Sequence, residues 1–266
     1  MDLEDSVQPV SNKQIARDKI EQWVKNGSFK NHSVFPRVNN RESGELLKDI
    51  HQLSIEGVHG FMYPKSQKGD DVYFFDKLLE TIEYERGLPV GTFKIIPLIE
   101  TSAAVLNAHE ICQISTRVVA IAFGCEDFVA DLEGIHDHGG QSLFVPRAMI
   151  AMAARANNVL PIDTVHINVH DLEDLKKNII IAKNLGFEGV LVLHPKELHF
   201  VHKYFSPTEK EVKDAEEMLR LFEEAKKGNK GVAVVSGKFI GPPMVIAAKK
   251  IISKNNLVQN KLNESK

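Results

Sequence analysis

The sequence predicts an α/β protein built on a parallel β-sheet. Short runs of apolar and β-branched residues alternate with longer amphipathic segments along most of the 266 residues. Strands that alternate with helices in this way form parallel βαβ units. The predicted strands are almost continuously apolar, as expected of parallel strands that are covered on both faces. The length fits one large α/β domain.

Six strands are predicted, and a helix follows each of them. The strands cover residues 33–38, 60–63, 94–99, 118–123, 160–165 and 190–193. The helices cover residues 45–53, 70–86, 103–114, 145–157, 171–185 and 195–204. Thr101 and Asp171 stand at the start of two of these helices, where N-cap residues are expected. Gly186 follows the 171–185 helix, as a C-terminal glycine does.

The chain changes character at Ser206. Residues 206–230 are highly charged and predict a helix with one apolar face. A short strand at 231–235, a Gly-Pro-Pro turn and an apolar helix at 245–252 follow it. The last residues are polar and predict a disordered tail. We therefore expect three regions, namely a main domain over 1–205, a helical segment over 206–254 and a tail over 255–266.

Composition and charge exclude several classes of protein. The chain carries 33 Lys and Arg against 36 Asp and Glu, for a net charge of −3, so it lacks the basic surface of a nucleic-acid-binding protein. No apolar run approaches the ~20 residues that span a bilayer, and the acidic N-terminus does not form a secretory signal. The two cysteines, Cys112 and Cys125, predict reduced thiols in a cytoplasmic protein.

Charged and titratable residues stand where the predicted strands end. In parallel α/β proteins the catalytic groups lie at the C-terminal ends of the strands, so these positions are candidate site residues without reference to any motif. They are Arg37, Lys65, Glu100, Asp127, Asp163 and His194.

Glu100 and Asp127 are the strongest candidate pair, because adjacent parallel strands bring both carboxylates within reach of one cation. Such oxygen ligands select Mg²⁺ or Mn²⁺. The alternative is that one carboxylate complements a helix dipole, since Glu100 directly precedes a predicted helix. Arg37 is the matching anion-binding candidate, because its planar guanidinium suits a carboxylate or an enolate oxygen. Its alternative role is a salt bridge to Glu100 or Glu4.

Two groups of histidines are weaker candidates for zinc. His136 and His138 lie in a glycine-flanked loop, and His194, His199 and His202 span a strand end and the next helix. Neither group completes a tetrahedral ligand set, and an exposed helix face accounts for His199 and His202. The sequence also lacks the glycine-rich motifs that bind phosphate.

Seven segments carry a resemblance to a known family, and they run in order over nearly the whole chain. On them the sequence resembles the HpcH/HpaI aldolase and citrate lyase family, in its citrate lyase beta subunit-like branch, which includes malyl- and citramalyl-CoA lyases. The combination of LIET and FGCEDF is the most specific part. The segments are DLEDSVQPVSNKQIAR (2–17), PRVN (36–39), PLIETSAAVLNAHEI (97–111), VVAIAFGCEDFVADL (118–132), PIDTV (161–165), GFEGVLVLHPKEL (186–198) and FSPTEKEVKDAEEM (205–218).

The resemblance implies a TIM (β/α)8-type barrel that carries a divalent metal, Mg²⁺ or else Mn²⁺. It implies that Glu100 and Asp127 are metal ligands, that Glu100 also contacts substrate, and that Arg37 is a catalytic residue contacting the substrate carboxylate or enolate. The implied reaction splits a citryl-, malyl- or citramalyl-CoA type of 3-hydroxyacyl thioester into a 2-oxo acid and an acetyl thioester. The segment after Ser206 is implied to be an arm packing on a neighbouring subunit of a trimer or hexamer, and other citrate lyase subunits are implied partners.

The sequence departs from the family pattern in the arm and at its start. Gly241 stands where the family has the aspartate that serves as acid/base, Ser236 replaces an earlier aspartate, and Val190 replaces a frequent lysine. Six strands and a short segment at 2–4 predict a barrel that lacks its first βα unit, since a closed barrel has eight strands. Two alternatives therefore stay open: an aldolase acting on free 4-hydroxy-2-oxo acids, and a catalytically impaired ligand-binding paralogue.

Overall fold

A computed structural model of the chain describes residues 1–135, 140–168, 170–227, 233–235 and 238–264. The chain divides into two compact units, Met1–Glu197 and Leu198–Lys266. The division lies inside helix α9 (Pro195–Phe205), whereas the sequence analysis places the domain boundary after residue 205.

The first unit contains a parallel sheet in which the strands pair in chain order. Single parallel bridges, from Arg37 to Met62 and from Asp2 to Arg37, extend this sheet beyond β1. Strands that follow one another in both sequence and space, each with a helical crossover, are the arrangement of a TIM-type barrel, and the predicted fold class is confirmed. The strands are β1 (Gly60–Tyr63), β2 (Lys94–Ile99), β3 (Ala120–Phe123), β4 (Leu160–Asp163) and β5 (Gly189–Val190).

Among the described residues of this unit, eight α-helices precede α9. Most predicted helices are found close to their predicted limits, but the predicted 103–114 helix is interrupted at Asn107, whose side-chain amide donates to the Gln67 carbonyl oxygen at 3.0 Å. The helices are α1 (Asn12–Lys25), α2 (Leu46–Leu53), α3 (Gly69–Glu85), α4 (Ser102–Leu106), α5 (Ala108–Gln113), α6 (Cys125–Asp131), α7 (Gln141–Ala156) and α8 (Leu172–Leu185).

The alternation of side chains along β2 determines which face of the sheet each of them occupies. Successive residues of a strand point to opposite faces. Ile96 and Leu98 pack in one buried apolar cluster with Ala120 and Ala122 of β3. Glu100 continues the same period of two, so it lies beyond Leu98 at the C-terminal end of the strand. Cys112 and Cys125 are buried free thiols elsewhere in this unit.

The second unit is built mainly from two long helices that pack together, α10 (Glu209–Lys227) and α11 (Pro242–Glu264). Between them, β6 (Ala233–Val235) pairs antiparallel with β7 (Lys238–Ile240). Helix α11 continues through residues 255–264, where the sequence analysis expects a disordered tail. Val258 is half-buried in this stretch, while Leu257 and Leu262 are exposed. In the described part of the chain, no helix has the length and apolarity to cross a membrane.

Candidate functional site

The C-terminal ends of the strands gather a cluster of charged side chains. Glu100 follows β2, Asp127 lies in the first turn of α6, and Lys65 follows β1. Arg37 and Glu4 come from the two segments bridged to the sheet. The structure therefore brings Arg37, Glu100 and Asp127 into one charged region. Lys65, a predicted strand-end candidate, lies in the same region, and so does Glu4, which the sequence analysis names only as a salt-bridge partner.

Glu100 is the most deeply buried carboxylate of this cluster, with a side chain that is 1% exposed. Its Oε1 accepts a hydrogen bond of 2.6 Å from the backbone N–H of Lys65, while its Oε2 has no hydrogen-bond partner. Burial raises the pKa of Glu100 to about 7, although the Lys65 hydrogen bond and charge oppose the shift. A buried oxygen without a partner is the feature expected of a group that awaits a cation.

Gly124 makes room for Glu100. It is the N-cap residue of α6 and directly follows β3. A Cβ atom at this position would lie 2.9 Å from Glu100 Cβ and 3.2 Å from Glu100 Oε2. Only glycine, which has no side chain, fits beside the carboxylate without a shift of one strand against the other.

Lys65 places a positive charge between the two candidate metal ligands. Its Nζ lies 3.2 Å from Asp127 Oδ1 and 3.8 Å from Glu100 Oε1. Its backbone adopts the left-handed region, with φ of 55°. The two carboxylates thus face one position that attracts cations. The sequence analysis names Lys65 only as a strand-end candidate, and its place after β1 is the same signal that identifies Glu100.

The donor set of this cluster suits Mg²⁺. Asp127 is 44% exposed at its side chain, so water and a substrate can reach the cation position. Among the described residues, no group of three or more His, Cys, Asp and Glu side chains is arranged to hold a metal. Two carboxylates with the remaining positions left to water and substrate are the usual protein contribution to a Mg²⁺ site.

Arg37 is held by carboxylates from the N-terminal segment. Its Nε and Nη2 donate to the two oxygens of Asp2 at 2.6 and 2.7 Å, and its Nη1 lies 3.0 Å from Glu4 Oε2. Burial would raise the pKa of Asp2, but the hydrogen bonds from Arg37 and Ser6 hold it well below its usual range. The salt-bridge alternative for Arg37 is therefore realised with Glu4, while the charge of Arg37 also acts on Glu100.

Glu4 is buried beside Arg37, with 3% of the residue exposed. Neither carboxylate oxygen has a hydrogen-bond partner. Burial raises the pKa of Glu4 to about 7, and the charge of Arg37 opposes this shift. The sequence analysis names Glu4 only as a salt-bridge partner, because its burial depends on contacts distant in sequence.

The remaining strand-end candidates lie away from these contacts. Asp163 is buried and forms an ion pair with Arg147 of α7, and burial raises its pKa although Arg147 opposes the shift. His194 is exposed, and its Nδ1 accepts a hydrogen bond from the Lys196 backbone N–H at 3.1 Å. His199 is exposed on α9, as expected for a surface helix face.

Other predicted positions are distributed as follows. His202 is also exposed on α9. His136 and His138 lie outside the described residues, as does Ser236. Gly241 is buried directly before α11, and its carbonyl oxygen accepts a hydrogen bond of 3.1 Å from the Met244 backbone N–H.

Comparison with known proteins identifies the same family as the predicted resemblance. The sequence model of the family described as HpcH/HpaI aldolase/citrate lyase matches residues 1–195. Citrate lyase subunit beta of Leuconostoc mesenteroides subsp. cremoris is 30% identical over 265 residues, which cover 98% of this chain and 87% of that protein. The mitochondrial citramalyl-CoA lyase of Rattus norvegicus is 26% identical over 271 residues, covering 98% of this chain and 80% of that protein.

Solved structures share the fold. A citrate lyase from Burkholderia xenovorans LB400 superposes with a TM-score of 0.84 at 16% identity, covering 97% of this chain and 83% of that chain. The protein CitE from Mycobacterium tuberculosis, in complex with magnesium, acetoacetate and coenzyme A, superposes with a TM-score of 0.74 at 22% identity, covering 96% of this chain and 88% of that chain. Together with the sequence matches, these findings confirm the predicted resemblance.

Proposed function

This chain belongs to the HpcH/HpaI aldolase/citrate lyase family, and from that premise we propose that it is a Mg²⁺-dependent carbon–carbon lyase. The substrate is a 3-hydroxyacyl thioester of the citryl-, malyl- or citramalyl-CoA type, and the products are a 2-oxo acid and an acetyl thioester. Relatives named citrate lyase subunit beta, citramalyl-CoA lyase and L-malyl-CoA/beta-methylmalyl-CoA lyase support this class. The observation that carries the proposal is the buried Glu100 carboxylate, which faces Asp127 across one cation position.

Glu100 and Asp127 are the residues that would hold the metal. When bound, Mg²⁺ supplies a Lewis acid for the oxygens of the 2-oxo acid. The support from this chain is the partnerless Glu100 Oε2 and the space that Gly124 leaves beside it. The crystallised M. tuberculosis relatives contain magnesium together with oxaloacetate or pyruvate.

Arg37 would stabilise negative charge on the substrate. A guanidinium group is always charged and presents its donors in a plane, so it suits a carboxylate or an enolate oxygen. The two hydrogen bonds to Asp2 hold the Arg37 side chain in one orientation. A donor that is already oriented needs little rearrangement when charge develops.

A decisive experiment is a turnover assay with Mg²⁺. We expect cleavage of at least one of citryl-CoA, malyl-CoA and citramalyl-CoA, and loss of that activity and of Mg²⁺ binding in Asp127→Asn. Asp70→Asn is the matched control, because Asp70 is also an exposed acidic residue in the first turn of a helix. If the metal-bound protein cleaves none of these thioesters, the lyase proposal fails.

Gly241 favours a second candidate, a ligand-binding paralogue that retains the metal and 2-oxo acid site but does not turn over. In that case wild-type protein binds Mg²⁺ and a 2-oxo acid without cleavage, and Gly241→Asp creates activity. Preference for free 4-hydroxy-2-oxo acids over thioesters would instead indicate the aldolase alternative. The same assay series distinguishes these outcomes.

We further propose that the second unit packs on a neighbouring subunit of a homotrimer or hexamer, in contact with other citrate lyase subunits where these exist. Its support is the amphipathic character of α10 and the half-buried apolar residues of α11. Light scattering coupled to size-exclusion chromatography measures the assembly, and a monomer at micromolar concentration would contradict it. A cytoplasmic location stays a prediction from the sequence.

A further inference from the structure

We propose that Glu4 is the catalytic residue that transfers the proton in this site, the role for which Gly241 has no side chain. This inference rests on the lyase function proposed above. It assigns the acid/base to the N-terminal segment of the same chain, beside the substrate-binding Arg37.

Glu4 has an unusual environment for a buried carboxylate. Asp49 accepts hydrogen bonds from Arg17 and Asn39, and Glu83 accepts two from Arg117. Glu4, in contrast, is the one buried carboxylate among the described residues with neither oxygen hydrogen-bonded. Buried polar groups are normally satisfied, so an exception calls for a functional explanation.

The ion pair with Arg37 does not satisfy both carboxylate oxygens of Glu4. Its Nη1 lies 3.0 Å from Glu4 Oε2, but its Nε and Nη2 are occupied by Asp2. The Arg37 guanidinium is therefore shared between Asp2 and Glu4, and its single positive charge neutralises the Asp2 carboxylate. Glu4 keeps one oxygen without any donor, next to the group that would bind the substrate.

The backbone around Glu4 is fixed. The Leu3 N–H donates to the Arg37 carbonyl oxygen at 2.9 Å. The buried ammonium group of Lys13 donates to the carbonyl oxygens of Leu3 and Glu4 at 2.9 and 3.1 Å. A group held in this way keeps its carboxyl at a constant position relative to Arg37, as efficient proton transfer requires.

The ionisation of Glu4 suits proton exchange near neutral pH. Burial raises its pKa to about 7; the charged groups acting on it are Arg37 and Lys65, which lower the pKa, and Asp5 and Glu100, which raise it. A general acid/base works best when its pKa lies near the working pH.

The proton balance of the reaction closes on this one residue. In the direction of cleavage, the Glu4 carboxylate takes the proton of the substrate 3-hydroxyl group while the C2–C3 bond breaks. The hydroxyl oxygen becomes the carbonyl of the 2-oxo acid, and the electron pair of the broken bond forms the enolate of the acetyl thioester. Protonated Glu4 then returns its proton to C2, which releases the acetyl thioester and restores the carboxylate.

The test compares Glu4→Gln and Glu4→Asp with Asp70→Asn, which removes an exposed negative charge that is not among the groups acting on Glu4. We expect Glu4→Gln to lower kcat by about 10²–10⁴-fold, the usual effect of losing a general acid/base, while Mg²⁺ binding and KM change little. Glu4→Asp should restore part of kcat and move the pH profile of kcat. Asp70→Asn should leave kcat unchanged.

Infrared difference spectra between pH 6 and pH 8 give a readout independent of turnover. We expect Glu4→Gln to remove the Glu4 component of the protonated carboxyl band and to leave the component of Glu100, whose pKa burial also raises to about 7. Asp70→Asn should retain both components. Turnover by wild type together with undiminished kcat in Glu4→Gln would overturn the role of Glu4 alone, as would a carboxyl band that Glu4→Gln leaves unchanged. Absence of turnover in wild type would overturn the lyase proposal and this role with it. Should Glu4→Gln not fold, the pH profile of Glu4→Asp decides, and an unmoved profile refutes the role.

Discussion

Replacing Gly124 with alanine tests the geometry of the metal site directly. The backbone of Gly124, at φ −104° and ψ 90°, is open to any L-residue, so the substitution acts through space alone. The new Cβ would lie 2.9 Å from Glu100 Cβ and 3.6 Å from Leu98 Cγ. Glu100 Cβ is attached to the β2 backbone and cannot swing away, so either the strand shifts or the carboxylate is re-aimed.

The expected size of the effect follows from these contacts. Overpacking a well-filled interior typically costs about 1–3 kcal/mol of unfolding free energy. Displacing the support of a metal ligand typically weakens metal binding by about 10–100-fold. Gly189→Ala is the matched control, since no heavy atom lies within 4 Å of its added Cβ. Its expected change is within about 0.5 kcal/mol.

Urea denaturation followed by circular dichroism measures the stability of both variants, and isothermal titration with Mg²⁺ measures their metal affinity. Gly124→Ala should be less stable than Gly189→Ala and bind Mg²⁺ more weakly. If the two variants match wild type in both measurements, Gly124 does not support Glu100 and the proposed site geometry is wrong.

Three further predictions concern stability. Because folding raises the pKa of Glu4 from 4.5 to about 7, the folded state favours protonated Glu4, and the unfolding free energy of wild type should fall by up to about 3 kcal/mol relative to Glu4→Gln between pH 4.5 and 7.5. A difference in urea midpoint between the two proteins that is the same at pH 5 and pH 8 would contradict this. Arg147→Met leaves Asp163 buried without its partner and should cost about 3–5 kcal/mol, most of it recovered in Arg147→Met/Asp163→Leu; calorimetry that shows no recovery would argue against the ion pair. Asp171→Ala removes the side chain that accepts the Asp174 N–H at 2.9 Å and should cost about 1 kcal/mol, whereas Asp171→Asn should cost less.

The sequence predicts the framework well because that information is local. Alternating strands and helices predict the parallel sheet, and the ends of the strands predict Glu100 and Asp127 as site residues. Thr101 and Asp171 accept the N-cap hydrogen bonds expected of them. Each of these signals lies within a few residues of the feature it predicts.

The missed features depend on contacts between distant parts of the chain. The sequence analysis does not predict helix α1, because its buried face includes Lys13 and Arg17. Both side chains are buried by polar partners. Glu4 is buried only because its segment pairs beside Arg37. Helix α11 extends into a polar stretch in which Asn255 and Val258 stay half-buried, whereas residues 259–263 are exposed. Local periodicity cannot report such partners.

Lys65 contributes to the site in two independent ways, through its backbone and through its side chain. Its left-handed backbone aims the peptide N–H at Glu100, whereas its side chain supplies the positive charge between Glu100 and Asp127. Asparagine and glycine accept the same backbone conformation more readily than lysine does. Replacing Lys65 with asparagine or glycine would therefore remove the charge while the turn keeps its shape. The preference of this site among cations can thus change without a change in the surrounding backbone.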